Sequence, residues 1–246
     1  MYYAFFDEST QSPKTLITCA VVVPQQKYSE SFQDLRALQK SRQHIEIMSD
    51  FLERLDGIAV VWETFFEHPR LNAERSRPFL FSDTLKPVAV DNWVWTNSLF
   101  FTVMQALVLE GFVGKRISTV DVYYDNRELT RDNEYAIGRT FQGKITDTIR
   151  KISDEHNVVG LKNTRVRRVK KISKPTGGDY WSATKFQQGT RMPHVLMCQA
   201  DEIKSNQAAL RRIRYFCDSP NVTEHGNFSP GRPKKEGVYQ GKPCFP

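Results

Sequence analysis

The chain has 246 residues, 39% of them hydrophobic and 12% aromatic, with a formal net charge of +7. That length suffices for one well-buried α/β domain carrying an appendage. No apolar run approaches the roughly 20 residues of a membrane span, and the N-terminus lacks the charged-then-apolar layout of a signal peptide. The cysteines, Cys19, Cys198, Cys217 and Cys244, form no Cys-x-x-Cys pair and stand at no zinc-finger spacing. Disulfides and structural zinc are therefore not expected, and a cytoplasmic location is.

In chain order, Tyr2 to Phe6 is an unbroken apolar and aromatic run, followed at once by Asp7-Glu8-Ser9. Such a run reads as a strand buried on both faces, with Asp7 where the strand leaves the core. The alternative is that Asp-Glu-Ser only starts a turn. Leu16 to Val23, stopped by Pro24, predicts a second buried strand, antiparallel to the first across a short connection. Phe32, Leu35, Leu38, Ile45, Met48, Leu52 and Leu55 recur at helical spacing and predict one long helix over 29–55, ended by Gly57. Ile58 to Phe66 predicts a third strand.

Asp91 reads as the N-cap of a helix, apolar nearly all round, running to about Phe112. Val120 to Tyr124 is a strand that again ends in an acid, Asp125. A third helix is expected over 132–155 and a basic strand over 158–171. A loop is expected over 173–193 and a last helix over 194–216. The outline is a mixed α/β sheet, three antiparallel strands then parallel ones, flanked by helices. The domain is expected to span 1–218, with a basic Pro/Gly-rich tail over 219–246.

Three acids end or interrupt apolar elements: Asp7, Asp125, and Asp201 inside the last helix. If the first strand and the Asp125 strand are parallel neighbours, their ends lie about 5 Å apart. Asp7 shares a strand face with Tyr3 and Phe5, and Asp125 with Asp121 and Tyr123. Gathered carboxylates repel, and a divalent cation such as Mg²⁺ or Mn²⁺ resolves the repulsion with oxygen ligands and waters. Two such ions can activate water and stabilise the leaving oxygen in phosphodiester cleavage. Taken alone, Asp201 also reads as an ordinary exposed helix acid.

Asp7-Glu8-Ser9 after an aromatic strand, the terminal Tyr123-Tyr124-Asp125, and Gln199-Ala200-Asp201 in a late helix resemble a family of ribonuclease-H-like proteins, mostly from bacteria and phages. The resemblance covers roughly residues 2 to 216. It implies a ribonuclease-H-like sheet with Asp7, Asp125 and Asp201 as metal ligands. Nucleases of this kind often place a glutamate on the helix before the second acidic strand. Here that helix offers only Asp91 and Glu110 at its ends, so Glu8 and Glu128 are the candidate substitutes for a catalytic set, each equally readable as a solvated turn residue. His194, just before Asp201, is a candidate for proton transfer or an ordinary surface residue. No phosphate-binding Gly-x-x-x-x-Gly-Lys loop and no Gly-x-Ser-x-Gly elbow is present.

Charge is uneven: residues 1–150 carry 17 Lys+Arg against 20 Asp+Glu, and residues 151–246 carry 18 against 8. A basic C-terminal third points to nucleic acid, RNA, DNA or a hybrid, as partner. Lys162, Arg165, Arg167, Arg168, Lys170, Lys171 and Lys174 are the expected phosphate contacts, continued by Arg211. Tyr180 and Trp181 either stack on bases or anchor their segment to the core. Gly231-Arg232-Pro233 is similar to the core of minor-groove AT-hook peptides, or belongs to a flexible basic tail. Two other roles fit this sequence: a nucleic-acid-binding or regulatory module without catalysis, and a subunit that needs a protein partner in a phage-defence or mobile-element system.

Overall fold

The computed structural model describes residues 1–12, 15–30, 45–65, 87–125, 142–172, 180–206, 210–217 and 239–240. Strand β1 (Tyr2–Ser12) and β2 (Thr15–Pro24) lead into a short helix α1 (Gln25–Glu30), then α2 (Ile45–Arg54) and β3 (Ile58–Phe65). Helix α3 (Pro87–Phe112) precedes β4 (Thr119–Tyr124), and α4 (Gln142–His156) precedes a 3-10 turn at Val159–Leu161 and β5 (Arg165–Lys171). Helices α5 (Tyr180–Met197) and α6 (Ala200–Asn206) are followed by β6 (Ile213–Cys217) and the two-residue β7 (Tyr239–Gln240).

The strands form one sheet in the order β5-β4-β1-β2-β3-β6-β7. The pairs β1/β2 and β2/β3 are antiparallel. The pairs β1/β4, β4/β5, β3/β6 and β6/β7 are parallel. Three antiparallel strands followed by parallel ones on the β1 side make the ribonuclease-H-like mixed sheet expected from the sequence.

Both faces are covered, which is why β1 to β4 read as continuous apolar runs rather than alternating ones. One face carries Tyr2, Ala4, Phe6, Val22 and Trp62 against Trp95, Leu99 and Val103 of α3. The other carries Tyr3, Phe5, Cys19, Val21 and Tyr123 against Phe51 of α2 and Met192 and Leu196 of α5.

Local signals and structure part company at several points, among them that the basic strand expected over 158–171 begins only at Arg165, after the 3-10 turn. Helix α3 begins at Pro87 rather than after Asp91, because proline at a first helical position forfeits no hydrogen bond. The predicted loop over 173–193 is instead helical from Tyr180 on, with Pro193 inside α5. The predicted last helix breaks after Met197, resumes as α6, and gives way to strand β6, where Ile213, Tyr215 and Phe216 are buried and the strand lies parallel to β3. A long helix over 29–55 is described only at its ends, and residues 31–44 lie outside the described residues. So does the tail, apart from Tyr239 and Gln240, which pair with Phe216 and Cys217.

Gly189 explains why α5 tolerates a glycine. A Cβ there would stand 2.5 Å from both Cε1 and Cζ of Phe5, which is fully buried. Phe5 cannot yield, since it packs with the rings of Tyr28 and Tyr123 at 5.0 and 5.8 Å. Gly189→Ala is therefore expected to destabilise the chain by about 1–3 kcal/mol through overpacking. Thermal unfolding checks this, at roughly 2–4 °C of melting temperature per kcal/mol for a chain of this size.

Candidate active site

β1 and β4 pair in parallel from Tyr2↔Val120 to Phe6↔Tyr124, so the next residues along the two strands are Asp7 and Asp125. Asp125 directly follows β4, but Asp7 does not end β1 as the apolar run suggests: β1 continues to Ser12 against β2, and Asp7 stands where its pairing with β4 stops. Asp7 lies on the face covered by α5 and its side chain is 16% exposed, while Asp125 is exposed. Burial pushes the Asp7 carboxyl up to about 7; the negative charges of Glu8 and Asp125 add to that, and a hydrogen bond from the Glu8 N–H to Oδ1 (2.9 Å) opposes it. A buried carboxyl beside a second acid is a site that gains by taking a cation.

Helix α5 roofs this edge. Phe186 stacks on Tyr123 with ring centroids 4.4 Å apart, and the Tyr28 hydroxyl donates to the carbonyl of Lys185. One and a half turns beyond Gly189, His194 comes over the acid, with Nδ1 3.6 Å from Asp7 Oδ2. Its ring is 60% exposed.

Asp201 lies elsewhere on this surface, exposed in the first turn of α6. The groups that feel its charge are Lys204 and Tyr215. Those two converge on Glu63 of β3, whose Oε2 accepts from the Tyr215 hydroxyl at 2.5 Å and from Lys204 Nζ at 3.0 Å. The hydrogen bonds hold the Glu63 carboxyl below its ordinary value against the cost of burial, the largest single influence on it. Glu63 was not singled out from the sequence, although an acid after Val60-Val61-Trp62 in an apolar strand is a readable signal. Among the described residues, no three His, Cys, Asp or Glu side chains are gathered closely enough to hold an ion by themselves.

The helix glutamate, Glu110, is at the wrong end. It is fully buried, 3.3 Å from Lys115 Nζ, and its charge acts on Tyr2. Tyr2 opens β1, about 17 Å of strand away from Asp7. Glu128 and Lys174 lie outside the described residues, and Tyr180 and Trp181 form the first turn of α5.

The basic cluster divides by position. Arg167 and Arg168 serve Asp121, a fully buried acid of β4. The register between β4 and β5 slips after Val120, so Asp121 faces Arg168 with Arg167 looped out between. A bulge sets two residues against one, letting both adjacent side chains reach the same face. Arg167 donates through Nε (2.8 Å) and Nη2 (2.5 Å) to the two Asp121 oxygens. Arg168 Nε donates to Oδ2 at 2.8 Å, and its Nη2 donates to the Tyr123 hydroxyl at 2.7 Å. Lys170 and Lys171 pair with Tyr123 and Tyr124, level with the acidic edge. Lys162 and Arg165 are exposed at the opposite end of β5, and Arg211 lies before β6 with Nη1 3.6 Å from Glu53.

Strand order and acid pair together describe a ribonuclease-H-like α/β protein with an acidic strand edge. Among solved structures, the chain is similar to ribonuclease H2 from Pyrococcus horikoshii OT3, with a TM-score of 0.37 and 14% identity over 96% of this chain and 82% of that one. It is also similar to ribonuclease HII from Archaeoglobus fulgidus in its complex with PCNA, with a TM-score of 0.29 and 9% identity over 82% and 78%. No protein family and no curated protein matches the chain. At such TM-scores the fold rests on the strand order alone, and the narrower family resemblance rests on its short motifs. No described helix is long and apolar enough to cross a membrane.

Proposed function

We propose that this chain is a metal-dependent nuclease that hydrolyses phosphodiester bonds in RNA or DNA. The observation that carries the reading is the Asp7–Asp125 pair where the parallel pairing of β1 with β4 stops, with Asp7 buried enough to resist ionisation until near neutrality. Two hard carboxylates are a fitting donor set for Mg²⁺ or Mn²⁺, which complete their shells with water and substrate phosphate oxygens. When bound, such an ion lowers the pKa of a coordinated water and offsets charge on the phosphoryl oxygens.

The remaining work belongs to the chain. Asp7 and Asp125 would hold the ion; Asp201, the third ligand that the resemblance implies, stands apart from them on α6. Lys170 and Lys171 would hold the phosphate backbone beside the acid pair, on the strand next to β4. Glu8 would keep Asp7 oriented through its backbone N–H.

A second reading is a nucleic-acid-binding or regulatory subunit, acting with a protein partner in a defence system. It is favoured by the lack, among the described residues, of a third His, Cys, Asp or Glu gathered with the pair so as to hold an ion. The deciding experiment is cleavage of labelled RNA, DNA and hybrid substrates with Mg²⁺ or Mn²⁺. Asp7→Asn and Asp125→Asn should each lose at least ~10²-fold in rate, more than loss of an outer-shell partner costs. Salt-sensitive binding that persists in EDTA, without cleavage by the wild type, would favour the second reading.

A further inference from the structure

The last turn of α5 carries a feature that the acid pair does not use. His194 and Cys198 are four residues apart, and the Cys198 N–H donates to the His194 carbonyl at 3.1 Å, so helical spacing holds through both. Side chains at that spacing share one helix face. Both are exposed, and Cys198 is a free thiol. Cys198 Sγ stands 3.7 Å from His194 Nε2. Two ligands of a tetrahedral zinc, with Zn–S about 2.3 Å and Zn–N about 2.0–2.1 Å, lie about 3.6 Å from one another.

The other ring nitrogen supplies the second observation. Asp7 Oδ2 lies 3.6 Å from Nδ1 on the far side of the ring. The ring thus has Asp7 on its Nδ1 side and Cys198 on its Nε2 side. A carboxylate behind a histidine whose front nitrogen meets the metal is the usual outer-shell arrangement of zinc sites. We infer that His194 and Cys198 form a two-point chelate for a soft or borderline divalent cation such as Zn²⁺, with Asp7 positioning the imidazole. Thiolate and imidazole select against Mg²⁺, so this site differs in chemistry from the acid pair. Its remaining coordination positions are open to water or to a substrate group. The inference does not depend on nuclease activity.

The test uses Co²⁺ as a spectroscopic probe on the reduced, full-length chain. One equivalent should produce thiolate-to-cobalt charge-transfer absorption that Zn²⁺ displaces and excess Mg²⁺ does not. Cys198→Ser should abolish the absorption, while Cys217→Ser and Cys244→Ser keep it. Asp7→Asn should weaken Co²⁺ binding by roughly 10–100-fold, the ordinary effect of losing an outer-shell partner. Circular dichroism confirms that each variant is folded. No absorption from the wild type in excess Co²⁺, or absorption surviving in Cys198→Ser, overturns the site. Asp125→Asn should keep the cobalt band while losing Mg²⁺-dependent cleavage, and Cys198→Ser should do the reverse. The two readings can therefore fail separately.

Discussion

In the presence of a chelator, wild-type protein is expected to lose stability as the pH rises from about 4 to about 8, and Asp7→Asn to escape most of that loss. Folding raises the Asp7 carboxyl to about 7 from an ordinary 3.8, chiefly by burial. Below both values the group is protonated whether the chain is folded or not, and it costs nothing. Between them the unfolded chain releases the proton and the folded chain keeps it, so stability falls until the pH passes the folded value. A gap of that width between the folded and unfolded chain corresponds to about 4 kcal/mol at most. Asp7 keeps some exposure, so solvent screening should bring the loss to on the order of 2–4 kcal/mol. Asparagine cannot ionise, and its curve should part from that of the wild type only above about pH 4. Urea unfolding at several pH values measures the difference, and parallel curves would mean that Asp7 is not held as described. Adding Mn²⁺ near neutral pH should restore the wild type selectively, because a cation favours the ionised acid.

The second large effect concerns Asp121. Removing Arg167 and Arg168 together is expected to destabilise the fold by more than the sum of the single changes to alanine. Each single variant leaves Asp121 one guanidinium, whereas the double variant leaves a fully buried carboxylate uncompensated. An orphaned buried charge costs about 3–5 kcal/mol. Repeating the double change in an Asp121→Asn background should remove most of the penalty. Such a cycle isolates the coupling. If the double variant instead unfolds like the wild type but loses salt-dependent affinity for nucleic acid, the two arginines serve phosphate rather than Asp121.

That outcome bears on how a basic run is read. Seven cations between Lys162 and Lys174 look alike in a sequence, and nothing local distinguishes those that meet phosphate from those that neutralise the protein's own acid. The distinction depends on a bulge in the pairing of β4 with β5, which no single segment encodes. Lys170 and Lys171 remain at the acidic edge, and Lys162 and Arg165 lie at the other end of β5.

Other parts were legible because their causes are local. A run buried on both sides must be apolar at every position, so β1, β2 and β4 announce themselves, and a terminal acid marks where β4 leaves the core. The connection between β1 and β2 is too short for anything but an antiparallel pair. Those facts place Asp125 at a strand end from the sequence; Asp7 proves to lie inside β1, which runs on to Ser12 against β2, and the parallel register of β1 and β4 brings the two acids side by side. Where burial among distant partners outweighs local preference, the chain misleads. Gly189 and Pro193 read as loop punctuation, yet one admits the ring of Phe5 and the other lies inside the helix above it. Ile213 to Cys217 continues a helical pattern in the sequence, but pairing with β3 draws it into the sheet. The neighbours of Asp7, with His194 above it and Cys198 beyond, come from segments nearly 190 residues apart in the chain. Strand pattern and acid placement were thus settled by composition along the chain, through local burial and reach. The company each acid keeps was settled by packing, because electrostatic and coordinating partners are chosen by proximity in space.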